Sequence, residues 1–432
     1  MTSSAEVSIV DLSHDGRGVA RVDGKAFFVA GALPGETVRA RITKRSRHFD
    51  EGKVEEILVR SPERIEPRCK HFGTCSGCTL QHLPQAAQIA AKQRVLAENF
   101  ERIGKVAPQR WLEPLTADAW GYRRKGRLSV KWVAKKDKAL VGFREDNPRF
   151  VADLSECHTL LPAVGMRLEQ LGALVGSLDA KAEIAQIEIA AGDDTVALTF
   201  RNLKPLSASD AQALVAFGRE HGIAILLQPG GPDSVAPLWP ETVPLSFRIP
   251  DFDVELAFRP LDFIQVNGGM NLRMIARTVE LLDLSPNDRV LDLFCGLGNF
   301  TLPLARRAGE VVGVEGEAAL VARSRENAQA NGIGNVEFFA ADLFADHREA
   351  PWAKRACDKL LLDPPRSGAA AVLEYLPRKG TDRVVYVSCH PGSLARDAGT
   401  LVERHGFTLE AAGVMDMFPH TAHVESIALF VR

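Results

Sequence analysis

The eleven residues Val290–Phe300, VLDLFCGLGNF, decide the fold. An apolar run that breaks at Gly296 and Gly298 and continues as NFTLPLARRA reads as a strand turning into a helix. The rhythm repeats downstream: VVGVEG then AALVARSRENAQANG, VEFFAADLF, DKLLLDPP, and RVVYVSC then SLARDAGTLVERHG. Strands alternating with helices predict a parallel, doubly wound α/β sheet. The final segment, FTLEAAGVMDMFPHTAHVESIALFVR, reads as two strands joined by a polar loop, which predicts one strand inserted antiparallel.

In an open sheet of this kind the ligand lies beyond the carboxyl ends of the strands, and glycines at the first turn let backbone approach it. Glu315 ends the second strand nineteen residues after Gly296, where a carboxylate accepts bonds from ribose hydroxyls. The turn is GxGxF and lacks the third glycine that packs a helix beneath a pyrophosphate. That disfavours NAD and favours S-adenosylmethionine, which carries no phosphate. Asp342, after the third strand, is placed to bond the adenine amine, with Asn299 and Phe294 beside the amino-acid and sulfonium end. At the fourth strand end, Asp363-Pro364-Pro365-Arg366 is a corner suited to framing a flat nucleobase.

Cys389, at the end of RVVYVSC, selects the chemistry. An exocyclic amine attacks a methyl donor with its own lone pair, whereas pyrimidine C5 is not nucleophilic until something adds to C6. A cysteine beside a base pocket therefore points to C5 of a uracil. A helix beginning near Gly392 is expected to lower the thiol pKa, with Arg366 as a second positive charge. The base that removes the C5 proton is expected to be Glu425 in HTAHVE; the bland alternative is a glutamate on a surface strand. His420 and His423 are expected to be surface loop residues, and Cys295 and Cys357 core thiols. A base that must leave its stack favours single-stranded or loop RNA.

Upstream, the change of rhythm near 263 divides the chain of 432 residues, too long for one core, into three expected units: a barrel at 1–60, an α+β domain at 61–262 and the α/β domain at 263–432. VSIVDL, GVARV, KAFFVA, TVRARI and KVEEIL, separated by Asp-Gly and Pro-Gly turns, predict a small closed, OB-like β-barrel. A helix is expected over 84–103, with Ile89, Gln93, Leu96, Phe100 and Ile103 at helical spacing. Net charge is −2, which excludes a protein that coats nucleic acid everywhere. Locally, Arg39–Arg47 holds five Lys/Arg and no acid, and 102–136 holds ten against two acids, interleaved with Trp111, Trp120, Tyr122 and Trp132. Basic groups neutralise phosphates and flat side chains stack on unpaired bases, so both runs are candidate RNA surfaces. With no basic n-region and apolar core at the start and no membrane-length apolar stretch, the chain is expected to be cytoplasmic and free of membrane, its cysteines reduced.

Cys69, Cys75 and Cys78 have the spacing C-x5-C-x2-C, and Cys157 is the fourth cysteine of the first two thirds. Zinc usually takes two close pairs, whereas three cysteines together and one remote suit a [4Fe–4S] cluster. His71 and His158 leave a mixed zinc site open. A cluster so far from the methyl transfer is expected to be structural.

These motifs, with FIQVN at 263–267, VGVE, DPPRSG, SCHPGSLARD and HVES, together resemble the RNA uracil-5-methyltransferase family over nearly the whole chain. The likeness is greatest to its 23S ribosomal RNA branch, with an N-terminal TRAM barrel and an iron–sulfur cluster. The resemblance implies a Rossmann-like class I methyltransferase domain and a [4Fe–4S] cluster on Cys69, Cys75, Cys78 and Cys157. It implies cofactor contacts from Gln265, Phe294, Asn299, Glu315, Asp342 and Asp363, Cys389 as nucleophile and Glu425 as base. It implies further that the 84–103 helix packs on the catalytic domain. The expected product is 5-methyluridine in 23S ribosomal RNA, made by a monomer. His390 departs from the asparagine usual after the nucleophile. The alternatives are a transfer RNA substrate, whose branch lacks barrel and cluster, a cytosine target, and a non-catalytic iron–sulfur assembly factor.

Overall fold

The structure, a computed structural model, describes residues 4–377 and 379–432. At the N-terminus, six short strands curl into one sheet. Ser4–Ser8 pairs with Thr37–Arg45 at one edge, and the same chain runs on to Val10, whose amide donates to the Val19 carbonyl at 2.8 Å on the other side. The sheet thereby closes on Val7, Ala20, Phe27, Val29, Val38 and Ala40, the inward half of the period-two pattern. The Arg39–Arg47 run sits mostly on the strand Thr37–Arg45, against the acids of Phe49–Val59. Arg41 faces Glu55 at 3.8 Å, Lys44 faces Glu51 at 3.4 Å, and Arg39 pairs with Glu56. Cross-strand partners balance much of this run.

The central sheet has six strands, in the order Ala236–Trp239, Ala224–Leu227, Val196–Asn202, Ile184–Ala191, Lys125–Val133 and Lys138–Gly142. Leu168, Leu171 and Val175 of the helix Leu168–Ser177, and Leu214 and Phe217 of Ala208–His221, share its core. The aromatic side chains of 102–136 do not form the expected stacking platform. Tyr122 is buried with its hydroxyl on the Pro419 carbonyl, Trp120 stacks on His420 at 3.7 Å, and Lys181 covers Trp132; only Trp111 is exposed. Packing against the later chain outcompetes solvent for these rings, and a local composition count cannot see that competition.

The helix α1, Gln85–Asn99, leaves this middle segment and docks on the α/β domain. In that domain the helix α2, Gly268–Leu282, precedes the strands β1 (Arg289–Leu293), β2 (Glu310–Glu315), β3 (Val336–Ala340), β4 (Lys359–Leu362) and β5 (Arg383–Ser388). The helix α3 (Pro391–Glu403) and the strands β6 (Thr408–Met415) and β7 (Glu425–Val431) complete it. The sheet order is β3-β2-β1-β4-β5-β7-β6, with Arg110–Trp111 added parallel to β6 at the edge. Strands β1 to β5 are mutually parallel, and β7 is antiparallel to both neighbours. All ligand-facing ends therefore lie on one side. The hairpin Ser246–Ile249/Val254–Ala257 belongs to the core of this α/β domain through Phe247, Val254 and Leu256.

Helix α1 buries Gln88, Lys92 and Leu96 at i, i+4 spacing on one face. Leu96 and Phe100 enter the core with Leu293, Tyr386, Leu394 and Phe430. A π-helical turn, Phe100–Gly104, ends the helix against α3 so closely that a Cβ on Gly104 would lie 2.4 Å from the Ala395 carbonyl oxygen. The two polar residues of the face are held by the loop before β7. Lys92 Nζ donates to Asp416 at 2.7 Å and to the Phe418 carbonyl at 3.0 Å, while Gln85 Nε2 donates to Asp416 at 2.9 Å. Gln88 accepts the His420 amide at 2.8 Å. His420 is thus not the surface histidine expected: its ring lies between Trp120 and Gln88. Among the described residues no helix is long and apolar enough to cross a membrane.

Because the Lys92–Asp416 pair is buried, removing one partner leaves the other charge stranded. Lys92→Met should cost about 3–5 kcal/mol in urea unfolding, and Lys92→Met/Asp416→Leu should recover most of that loss.

Candidate active site

The first turn puts the backbone into the left-handed region at Phe294 (φ 66°), Gly296 (φ 56°) and Gly298 (φ 95°). Glu315 is fixed across the opening: its carboxylate accepts the Gly296 amide at 3.1 Å and the Glu317 amide at 2.9 Å. Behind the turn, Asp292 is fully buried. One of its oxygens accepts the Thr301 hydroxyl at 2.6 Å, while Oδ1 has no partner. Burial, opposed by that hydroxyl and reinforced by Asp363 and Glu315, pushes Asp292 up to about 8. Burial and the charge of Glu315 push Asp363 up to about 7. An orphaned carboxylate oxygen and mutually repelling acids around this turn repel a diphosphate and fit a cationic ligand. That fit favours the sulfonium of S-adenosylmethionine.

The other cofactor candidates are spread around this opening. The Phe294 ring lies 6.1 Å from that of Phe344, and Asp342, exposed, accepts the Phe344 amide at 3.0 Å. Asn299 is already engaged: its amide and that of Asn271 on α2 exchange two hydrogen bonds of 2.9 Å. Gln265 is half-buried in the segment leading to α2, next to Asn267, which caps that helix by accepting the Met270 amide.

Cys389 and Glu425 face each other. Ser388 pairs with Ser426 in the antiparallel register of β5 and β7, so one step further the strand ends bring residues 389 and 425 opposite. Asp363 follows the end of β4, beside β5. Cys389 is half-buried on the wall of a cleft of about 840 Å³, which runs between the catalytic edge and the barrel and is also lined by Phe28, Arg94, Arg102, Arg366 and His423. Glu425 is buried, not a surface strand residue, and burial together with Asp363 pushes it up to about 8, against the pull of Arg366 and Lys92. The expected depression of the thiol is overturned. Burial, with the charges of Glu425 and Asp363, pushes Cys389 up to about 11, and Arg366 only partly offsets them. Burial first, and then the two carboxylates at the strand ends, set the direction of the shift.

Sequence reading missed Lys92 and Asp416, whose pairing spans 324 positions, and the bond of Arg366 Nη2 to His423 Nδ1 at 3.0 Å. No local signal marks either. His423 is exposed, as expected, while Cys295 and Cys357 are buried core thiols.

Cys69, Cys75, Cys78 and Cys157 all line one separate cavity of about 230 Å³. Among the described residues no three His, Cys, Asp or Glu side chains are grouped to hold a metal ion. Burial pushes Cys75 up to about 11 and Cys78 up to about 12, each further raised by the neighbouring cysteines. Ser76, Gly77 and His423 line both this cavity and the catalytic cleft.

Comparison with known proteins agrees with this architecture. Residues 241–432 match the family model described as tRNA (Uracil-5-)-methyltransferase, and residues 3–54 match the TRAM domain. The chain is 66% identical over 430 residues to the 23S rRNA (uracil(1939)-C(5))-methyltransferase RlmD of Xanthomonas euvesicatoria, covering 99% of this chain and 97% of that protein. It is 62% identical to the protein of the same description from Xylella fastidiosa, covering 100% and 98%. The crystal structure of Pyrococcus abyssi tRNA (uracil-54, C5)-methyltransferase in complex with S-adenosyl-L-homocysteine shares the fold with a TM-score of 0.75, at 21% identity over 99% of each chain.

The raised carboxyl of Glu425 makes stability depend on pH. The folded protein keeps a proton that the unfolded chain loses from about 4.5, so the stability tied to it is lost as pH rises toward about 8. Glu425→Gln cannot ionise. Calorimetry of the cofactor-free protein should show its melting temperature rising relative to the unsubstituted protein across that interval and levelling off above it.

Proposed function

This chain belongs to the RNA uracil-5-methyltransferase family, in its 23S ribosomal RNA branch, and we propose that it methylates C5 of a uridine through a transient bond from Cys389 to C6. The observation that carries this reading is the pairing of Cys389, on the wall of the large cleft, with the buried Glu425 at the adjacent strand end. When bound, S-adenosylmethionine supplies an electrophilic methyl group. Glu315 and Asp363 would hold that cationic ligand, backed by the charge of the buried Asp292, with Gln265, Phe294, Asn299 and Asp342 around it.

The protein's own part is proton and electron bookkeeping at two atoms. The Cys389 thiol loses its proton to solvent in the cleft, and Arg366 is the nearby cation whose charge favours the thiolate. Sγ then bonds to C6, and the ring electrons displaced toward C5 make that carbon the nucleophile. Once C5 carries the methyl group, the Glu425 carboxylate takes its proton, the double bond re-forms and Sγ leaves. Glu425 and Cys389 must both be ionised for turnover, so activity should rise with pH from about 8 upward.

The substrate is read as single-stranded or loop 23S ribosomal RNA entering the cleft between barrel and catalytic edge. The full-length relatives at 62–66% identity, described as 23S rRNA enzymes, favour ribosomal over transfer RNA. The barrel does not discriminate, because the Pyrococcus abyssi transfer RNA enzyme shares the fold over 99% of each chain. The four cysteines are read as ligands of a structural [4Fe–4S] cluster. Their shared cavity supports this. Such a cluster would pin Ser76 and Gly77, which wall the cleft.

RNA carrying 5-fluorouridine at the target has no C5 proton to lose and should trap the enzyme covalently. Cys389→Ser should abolish trapping; a trapped Cys389→Ser protein would show that another group attacks. Glu425→Gln should form the methylated adduct with normal RNA and release it at least about a hundredfold more slowly. For the cluster, anaerobically purified protein should be brown, with about four irons and four acid-labile sulfides per chain. A colourless protein holding one zinc would refute the assignment.

A further inference from the structure

His390 follows the nucleophile directly and has two distinct nitrogen environments. Its Nδ1 accepts the backbone N–H of Ser393 at 3.1 Å, capping α3. A nitrogen that accepts carries no proton, so in the neutral ring the proton sits on Nε2. Burial, and then the charge of Arg366, lower the imidazolium pKa and keep the ring neutral. The cap thereby fixes the tautomer. Nε2 makes no hydrogen bond to any described residue, yet the side chain is exposed and lines the same cleft wall as Cys389. A pyrimidine bonded to Cys389 Sγ cannot avoid the neighbourhood of the next residue.

We propose that His390 Nε2–H donates a hydrogen bond to an oxygen of the RNA strand at the nucleotide held by Cys389. The proposal deepens the RNA reading of the cleft and rests on it. It also accounts for what else could occupy the position. Asparagine can accept the Ser393 amide with Oδ1 and offer an Nδ2–H donor to the cleft. Serine caps a helix as well as asparagine does, but its one remaining donor sits on the capping oxygen itself, close to the backbone, and does not reach out into the cleft.

His390→Asn and His390→Ser therefore separate capping from RNA recognition, since both keep the cap and the fold. His390→Asn should leave KM for a target RNA fragment within about threefold of the unsubstituted enzyme, and His390→Ser should raise it about tenfold. KM for S-adenosylmethionine and the melting temperature should not move in either variant. Equal RNA KM values for the two variants would reduce His390 to a helix cap and overturn the proposal. Replacing single phosphates beside the target by methylphosphonate identifies the acceptor. A rise in KM for the unsubstituted enzyme but not for His390→Ser assigns a phosphate oxygen; equal effects assign a base or ribose oxygen. Failure of the RNA reading itself would be seen separately, as 5-fluorouridine RNA that does not trap the unsubstituted enzyme.

Discussion

The docking of α1 on the catalytic domain is the constraint on which the active site depends. Its end touches α3 at Gly104, and its middle binds the loop after β6 through Lys92, Gln88 and Gln85. That loop leads into β7 and Glu425; α3 begins two residues after Cys389. One helix therefore braces both the Cys389 and the Glu425 side of the cleft. An ion pair so deeply buried contributes little net stability compared with an apolar substitute. Its contribution is definition: Lys92 has one carboxylate and one carbonyl within reach, so the loop has one position.

A second theme is the crowding of acids. Asp292, Glu315, Asp363 and Glu425 stand near the ends of four strands of one sheet, β1, β2, β4 and β7, and the protein supplies few cations to match. The unliganded site holds protons that it would shed when a positive ligand arrives. The same charge balance keeps Cys389 a thiol at rest, protecting it from adventitious oxidation, which requires the thiolate.

Much of this was legible in the chain because its signals are local. The glycine turn at 290–300, the spacing to Glu315 and the strand–helix alternation each lie within about twenty residues, and the sheet follows from them. The barrel was legible for the same reason, through its turns and period-two strands. What escaped is what depends on contacts hundreds of residues apart. Lys92 and Gln88 sit on an otherwise ordinary helical surface, and only the fold shows that Asp416 and His420 come to meet them. The aromatic-rich basic segment looked like a stacking platform because composition cannot tell an exposed Trp120 from one covered by His420. Arg110–Trp111 gives no sign that it extends the catalytic sheet, since two residues carry no periodicity. The thiol environment was misjudged because a helix N-terminus is visible in sequence while the converging carboxylates are not.

The place of β7 has a consequence for assembly. This strand fills the gap between β5 and β6, although it follows both in the sequence, and it carries Glu425. Until it inserts, the sheet has an open slot, Asp416 has no fixed loop and Cys389 does not face Glu425. The pairing of these two side chains is thus acquired in a single insertion between strands already in place.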